Sequence, residues 1–191
     1  MLSTAPCGDA IDPDADLLKA ASAGDQRASA ALVARHLPRV HRLATRLLDD
    51  AAEAEDIAQE LFLRLWQAGA DWRSGQAQVS TWIHTVTVNL CRDRLRRRRP
   101  QIALDEGLAE AAELRPEAQA MVGERSQQLR SAIAELPERQ REALLLFHYE
   151  GLDQAESAAV LGVSEDALES LLARARRGLR QRLPAPQGGA S

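Results

Sequence analysis

The sequence predicts an all-α fold made of two small helical domains joined by a flexible linker. Alanine, leucine, arginine and glutamate dominate the 191 residues, whereas β-branched and aromatic residues are scarce, which is typical of helices. Apolar residues recur at helical spacing on both sides of residues 100–124, an acidic stretch with two prolines and two glycines. We therefore expect a disordered tail at 1–15, a first domain at 16–99, the linker, a second domain at 125–183 and a tail at 184–191.

Charge and cysteine content limit the class of protein. The net charge of −4 gives no general attraction for polyanions, but Arg92–Arg99 holds six arginines and Asp49–Glu60 holds six acids. Cys7 and Cys91 are too few for a disulfide framework, so we expect reduced thiols. The sequence has neither an apolar run of membrane length nor a signal peptide pattern. These features predict a cytoplasmic protein without membrane insertion.

The first domain should open with two helices. Asp16 is predicted to cap a short helix, with residues 1–14 disordered before it. Gly24-Asp25 should break that helix. The apolar pattern then predicts a longer helix over Gln26–Leu48, which Pro38 should bend or divide.

The next predicted helix, Glu53–Gln67, carries an unusual outer face. Its buried side should hold Ala54, Ile57, Ala58, Leu61, Phe62 and Leu65. Leu63 falls on the opposite side among acids, where a leucine has no folding role and resembles a protein-docking patch. The alternative is a single exposed leucine without function. The residues on this outer side are Asp56, Gln59, Glu60 and Leu63.

The helix predicted over Val79–Arg99 presents two stripes. The first, with Ile83, Val86 and Leu90, is an ordinary buried face. The second runs from an aromatic ring through an amide to guanidinium groups. The ring can stack on a base, the amide can hydrogen-bond to a base edge, and the guanidinium groups can bind phosphate. The alternative is a surface helix with a solvated basic end, which Pro100 terminates. This second stripe comprises Trp82, Thr85, Asn89, Arg92 and Arg96.

The second domain should begin with two packed helices. Leu129, Ile133 and Leu136 mark one helix, and Pro137-Glu138 starts another that Gly151 stops.

The stretch from Leu152 to Leu183 predicts a helix-turn-helix. This motif needs a small residue at the helix crossing, a turn residue that tolerates positive φ and a later apolar residue, and Ala158, Gly162 and Leu168 satisfy these needs. Ser164 is a suitable N-cap for the second helix. The alternative is a plain helical hairpin. The remaining apolar positions are Ala155, Leu161, Val163, Leu171 and Leu172, and the outward stripe suited to the major groove is Ser170, Arg174 and Arg177.

The two predicted domains, in this order, resemble the extracytoplasmic-function (ECF) group of bacterial RNA polymerase sigma factors. The likeness covers about residues 16–183. AEDIAQELFLRLW resembles the core-binding segment of the family, and STWIHTVTVNLCRDRLRRRR resembles its −10 segment. LPERQREALLLFHYEGLDQAESAAVLGVSEDALESLLARARRGL resembles its −35-reading domain.

The resemblance implies three functional sets of residues. The docking set would bind the clamp of RNA polymerase core, and the −10 set would capture the melted promoter strand, with Asn89 at a flipped base. The linker would thread the cleft of the polymerase, and an anti-sigma factor would hold the protein inactive. The docking set is Asp56, Gln59, Glu60, Leu63 and Arg64; the −10 set is Trp82, Thr85, Asn89, Arg92 and Arg96; the −35 set is Ser164, Glu169, Ser170, Arg174 and Arg177.

Two departures from the family pattern concern the −35 domain. Ser157 stands where an apolar residue is usual, and Ala167-Leu168-Glu169 replaces the usual Thr-Val-Lys/Arg opening of the recognition helix. Glu169 would repel phosphate and could accept a hydrogen bond from a cytosine amino group. This form of the helix resembles family members that control metal resistance.

The function predicted is an alternative sigma factor, with no catalytic residues, cofactor or metal. The sequence has no nucleophile–base pair, phosphate loop or metal-ligand cluster. Two alternatives stay open on the residues alone: a ligand-responsive helix-turn-helix repressor, and a helical adaptor whose basic helix binds an acidic protein.

Overall fold

The computed structural model describes residues 12–73, 78–102 and 120–183, and in these ranges the chain is helical without β-strands. We refer to α1–α4 as the first helix group and to α5–α8 as the second. A π-helical turn, Leu145–Tyr149, extends α6. The α-helices are α1 (Ala15–Ser22), α2 (Gln26–Leu48), α3 (Ala51–Gly69), α4 (Val79–Ile102), α5 (Ala120–Ala134), α6 (Glu138–Leu144), α7 (Gln154–Leu161) and α8 (Glu165–Arg182).

The first helix group packs α1, α3 and α4 around α2. Asp25 and Asp50 cap α2 and α3, because their carboxylates accept hydrogen bonds from the first backbone N–H groups of those helices. Gly69 lets α3 approach α1 closely, since a Cβ there would overlap Ser22 Oγ. The buried face predicted for α3 is confirmed in full: Ala54, Ile57, Ala58, Leu61, Phe62 and Leu65 are all buried.

The prediction for the N-terminal end of the first group is wrong in two respects. Asp14, not Asp16, occupies the N-cap position of α1. The Asp14 side chain is buried, pairs with Arg35 and lies 2.7 Å from His36 Nε2. Both partners lie on α2, so their contacts hold Asp14 in the folded core. The sequence did not show these long-range contacts, and we therefore expected this position to lie in a disordered tail. Residues 1–11 lie outside the described residues.

Two prolines do not act as predicted. α2 runs undivided through Pro38, and α4 continues through Pro100 to Ile102. Each proline removes one backbone donor. On α2 the apolar residues on both sides of Pro38, such as Leu32 and Val40, are buried in one core, and this packing offsets the loss.

The linker predicted at 100–124 is therefore shorter than expected. Its first three residues belong to α4, and residues 120–124 belong to α5. Residues 103–119 lie outside the part of the chain that the structure describes, as do the tail at 184–191 and residues 74–77.

The second helix group contains the predicted helix-turn-helix, formed by α7 and α8. Gly162 joins the helices with φ +65°, and Ala158 and Leu168 are buried as predicted. Ser164 Oγ accepts a hydrogen bond from Ala167 N at 3.2 Å, which confirms its capping role. Ala155 was predicted to be apolar filling, but it is exposed.

The two helix groups also contact each other. α4 packs against α7, and the buried apolar residues of both groups form one continuous cluster. This contact was not predicted. On α4, Thr87, Val88 and Cys91 are buried in addition to the predicted Ile83 and Leu90, whereas the predicted Val86 is only half-buried.

Candidate functional site

The −10 set lies along α4 and is only partly open to solvent. The ring of Trp82 packs edge-to-face on Trp72, with 6.3 Å between centroids. Thr85 Oγ1 donates a hydrogen bond to the carbonyl of Thr81 at 2.8 Å, so this hydroxyl is already used by its own helix. The exposed members are Asn89 and Arg96, and the half-buried members are Trp82, Thr85 and Arg92.

Arg92 is not the free phosphate-binding group that the stripe predicted. Its Nε and Nη2 donate to the two carboxylate oxygens of Glu142 at 2.5 and 2.7 Å. Its Nη1 donates to Asn89 Oδ1 at 3.1 Å. The hydrogen bonds to Glu142 raise the pKa of the Arg92 guanidinium. The sequence did not show that an acid of the second helix group pairs with this stripe of α4.

The basic end of α4 is tied to the acidic start of α3. Arg98 donates to Asp50 at 3.2 Å and also pairs with Glu53. Arg94 lies 3.6 Å from Asp56, a member of the docking set. The two charge runs seen in the sequence therefore neutralise each other in part, and this pairing fixes α4 against α3.

The docking set forms a largely exposed face on α3. The Leu63 side chain is 62% exposed, as predicted, and Asp56 and Gln59 are also exposed. Arg64 Nη2 donates to Glu60 Oε1 at 2.6 Å, one helical turn away. An apolar groove between α2 and α3, which the sequence did not reveal, begins beside this face. Its lining is Val33, Leu37, Pro38, His41, Glu55, Ala58, Gln59 and Phe62.

The −35 set lies at the start and along the outer side of α8. Ser164 holds the helix N-terminus, and its hydroxyl therefore has a structural partner. All five members are exposed, namely Ser164, Glu169, Ser170, Arg174 and Arg177. An exposed serine and arginine stripe on the second helix of a helix-turn-helix can enter a DNA major groove and contact phosphates.

Sequence reasoning missed the residues that join the two helix groups. His84 on α4 lies 3.8 Å from Glu150, and both side chains are buried. Arg46 on α2 lies over the ring of Tyr149, 4.5 Å from its centroid. The run REALLLFHYE places acids next to apolar residues, and a buried acid needs a basic or hydrogen-bonding partner. This pattern could have indicated that Glu142 and Glu150 are paired, but the sequence does not identify their partners.

Two classes of feature are not found in the part of the chain that the structure covers. No group of three or more potential metal ligands occurs there. No helix within that part is both long and apolar enough to cross a membrane.

An α-helical bundle followed by a helix-turn-helix with an exposed second helix is typical of a DNA-binding protein. The Sigma-70 region 2 family model matches residues 32–101, and the Sigma-70, region 4 model matches residues 126–179. The chain belongs to the sigma-70 family of RNA polymerase sigma factors, in its ECF group. Such proteins are transcription initiation factors and not enzymes.

Two relatives and one solved structure support this assignment. The ECF RNA polymerase sigma factor SigM of Mycobacterium tuberculosis is 35% identical over 176 residues, covering 89% of this chain and 84% of SigM. RNA polymerase sigma factor CnrH of Cupriavidus metallidurans is 30% identical over 185 residues, covering 91% of this chain and 96% of CnrH. The solved structure of CnrH with the cytosolic domain of CnrY gives a TM-score of 0.64 at 27% identity, covering 88% and 95% of the two chains.

Proposed function

We propose that this chain is an alternative sigma factor that brings RNA polymerase core to specific promoters and helps to open their −10 region. The observation that carries the proposal is Leu63, which is 62% exposed on an otherwise polar helix face. A leucine held in water contributes nothing to folding. Burial against a partner gives it a role, and in this family the partner of that helix is the polymerase.

The −10 set supplies the means to hold an unpaired strand. Asn89 presents an exposed amide for a base edge, and the Trp72–Trp82 pair offers half-buried aromatic surface about two helical turns away along α4. Unstacking a base step costs a few kcal/mol. Stacking on aromatic rings returns roughly 1–3 kcal/mol per base. Strand capture on α4 can therefore balance a large part of the cost of melting.

The −35 set would anchor the chain on duplex DNA. Ser170, Arg174 and Arg177 follow one exposed side of α8. Glu169, one residue before Ser170, would favour a cytosine amino group over a phosphate. We therefore assign residues 16–99 to core binding and −10 recognition, and residues 125–183 to −35 recognition.

Regulation by a partner protein completes the proposal. The solved structure of the relative CnrH is a complex with the cytosolic domain of CnrY. We infer that this chain acts in the cytoplasm and is likewise held inactive by a protein partner, an anti-sigma factor. Metal stress is the inducing context that we propose, from the likeness of the recognition helix to regulators of metal resistance.

Family membership decides against the two alternatives left open by the residues. A ligand-responsive repressor and a helical adaptor would each share only one part of this chain, whereas both sigma-factor regions match in register.

The proposal is tested at Leu63. Leu63→Asp should weaken binding to purified RNA polymerase core about tenfold or more, because it places a charge in the apolar centre of the interface. Gel filtration with core and fluorescence titration measure this binding. Ala30→Asp, at an exposed position of α2, adds the same charge elsewhere and should bind core normally. If Leu63→Asp bound RNA polymerase core with unchanged affinity, the proposed docking face on α3 would be wrong.

A further inference from the structure

A carboxylate from the N-terminal end of the chain lies at the start of α4. Asp12 Oδ2 accepts a hydrogen bond from Val79 N at 2.8 Å, and Val79 is the first residue of the helix. The residue directly before it, Gln78, is not among the residue types that cap helices well. The helix that carries the −10 set is therefore capped by a residue 67 positions away.

The Asp12 carboxylate is held in place from a second side. Asp14 N donates a hydrogen bond to Asp12 Oδ1 at 3.0 Å, so each oxygen of the Asp12 carboxylate has its own partner. The Asp14 side chain is buried and is bound by Arg35 and His36 of α2. A continuous set of hydrogen bonds thus runs from α2 through these two acids to the start of α4.

This cap acts on the first turn of α4. The first backbone N–H groups of a helix have no acceptor within the helix, and they form the positive end of its dipole. The Asp12 carboxylate accepts from one of these N–H groups and brings a negative charge to that end. Loss of the carboxylate should therefore let the first turn fray, because the N–H of Val79 would lose its acceptor.

The start of α4 carries the aromatic end of the −10 set. Trp82 lies three residues after Val79, and its ring packs on Trp72, which precedes the helix. Fraying of the first turn would shift Trp82 relative to Trp72. The hydrogen bonds of the Asp12 carboxylate go to α4 and to Asp14, whereas the docking set lies on α3. The cap should therefore affect strand capture and not attachment to polymerase.

We propose that Asp12 is a positioning residue for promoter opening: its carboxylate caps α4 and holds the aromatic end of the −10 set in place for the unpaired strand. The inference rests on the proposed function, because it adds a supporting residue to the −10 set. Asp12 precedes residues 32–101, which match the region 2 family model. The N-terminal segment thus contributes to the −10 site from outside the matched region.

Three variants of the full chain test this role. Asp12→Ala removes the cap. Asp12→Asn removes the charge but keeps an oxygen acceptor, and asparagine caps helices about as well as aspartate. Asp16→Ala is the matched control, because Asp16 is an exposed acid on α1 and its loss removes the same charge while the cap stays.

Hydrogen exchange measures the cap directly. Asp12→Ala should speed amide exchange at residues 79–83 about fivefold, which corresponds to the usual effect of losing an N-cap. Asp12→Asn and Asp16→Ala should exchange at the wild-type rate there. Equal exchange in Asp12→Ala and Asp16→Ala would overturn the proposal.

Promoter opening is measured with purified RNA polymerase core at start sites mapped with the wild-type chain. With core saturated, Asp12→Ala should lower the permanganate reactivity of unpaired thymines about fivefold, although it binds core with wild-type affinity. Asp12→Asn should restore opening. If Asp12→Asn is as defective as Asp12→Ala, the charge acts and not the hydrogen bond, and the proposal is overturned.

Two further outcomes are decisive. If circular dichroism shows that Asp12→Ala does not fold, Asp12→Glu decides, because it keeps the charge and displaces the carboxylate by one methylene group. It should speed exchange at residues 79–83, and a wild-type rate would overturn the proposal. If the wild-type chain opens no start site, the proposed function fails; if it opens start sites and Asp12→Ala opens them equally well, only the role of Asp12 is wrong.

Discussion

Cys91 and its neighbours illustrate how the surroundings of a single residue decide its chemistry. Both cysteines were expected to be reduced thiols, and Cys91 is free in the structure. The sequence could not show that this thiol is buried beside Glu142, because the carboxylate arrives from a segment fifty residues away. Likewise, the exposure of Leu63 followed from helical spacing, whereas the engagement of Arg92 did not.

The raised pKa of Cys91 predicts a specific loss of stability at alkaline pH. Ionisation is opposed in the folded state, where the pKa is about 12, relative to 9.0 for the unperturbed thiol. The unfolded chain therefore loses its proton first as pH rises, and the free energy of unfolding falls from about pH 9 towards pH 12. Between pH 8 and pH 10 this group should remove roughly 1–2 kcal/mol.

Urea denaturation of the wild-type chain and of Cys91→Ala at these two pH values measures the effect. The variant begins less stable, because a buried sulfur is removed, but it should lose less stability between pH 8 and pH 10. All other titratable groups are present in both proteins and cancel in the comparison. Equal losses in the two proteins would show that Cys91 ionises as freely in the fold as in water.

Elements whose structure depends on local rules were predicted well. The helix-turn-helix followed from Ala158, Gly162 and Leu168, and the structure adds a capping box in which Asp153 and Glu156 exchange hydrogen bonds at the start of α7. Elements that depend on tertiary packing were predicted less well. α2 and α4 continue through prolines, and the final turn of α6 became π-helical. Helix propensity does not predict these features, because tertiary packing overrides the propensity of the individual residues.

Gly162 offers the clearest test of the turn in this motif. It ends α7 in the left-handed region with φ +65°. The backbone N–H groups of Gly162 and Val163 donate to the carbonyls of Ala159 and Ala158, each at 3.1 Å. A Cβ at Gly162 would meet no atom within 4 Å, so only backbone conformation opposes a side chain there.

Gly162→Ala should therefore destabilise the protein by about 1–2 kcal/mol, the usual cost of the left-handed region for an L-residue. Gly162→Asn should cost less, because asparagine adopts this conformation more readily. Chemical denaturation measures both variants against the wild-type chain. Equal stability of all three proteins would mean that the turn relaxes to another conformation.

At the scale of the whole molecule, the two helix groups share one continuous hydrophobic core. The sequence predicted two domains and the faces that each presents. It did not predict their contact, because the pairs Arg92–Glu142 and His84–Glu150 join residues fifty or more positions apart. The docking and −35 sets remain exposed in this arrangement, whereas the −10 set is partly covered.

The central claim, that this chain gives RNA polymerase core the ability to open promoters, is tested most directly by in vitro transcription. Purified core, with or without the chain, is supplied with genomic DNA fragments of the source bacterium, and the 5′ ends of the transcripts are mapped. We expect discrete start sites that require the chain. Asn89→Ala should bind core normally but reduce these transcripts about tenfold, whereas Gln128→Ala, an exposed amide on α5, should not. Core that ignores the chain, or binds it without opening a start site, would contradict the account.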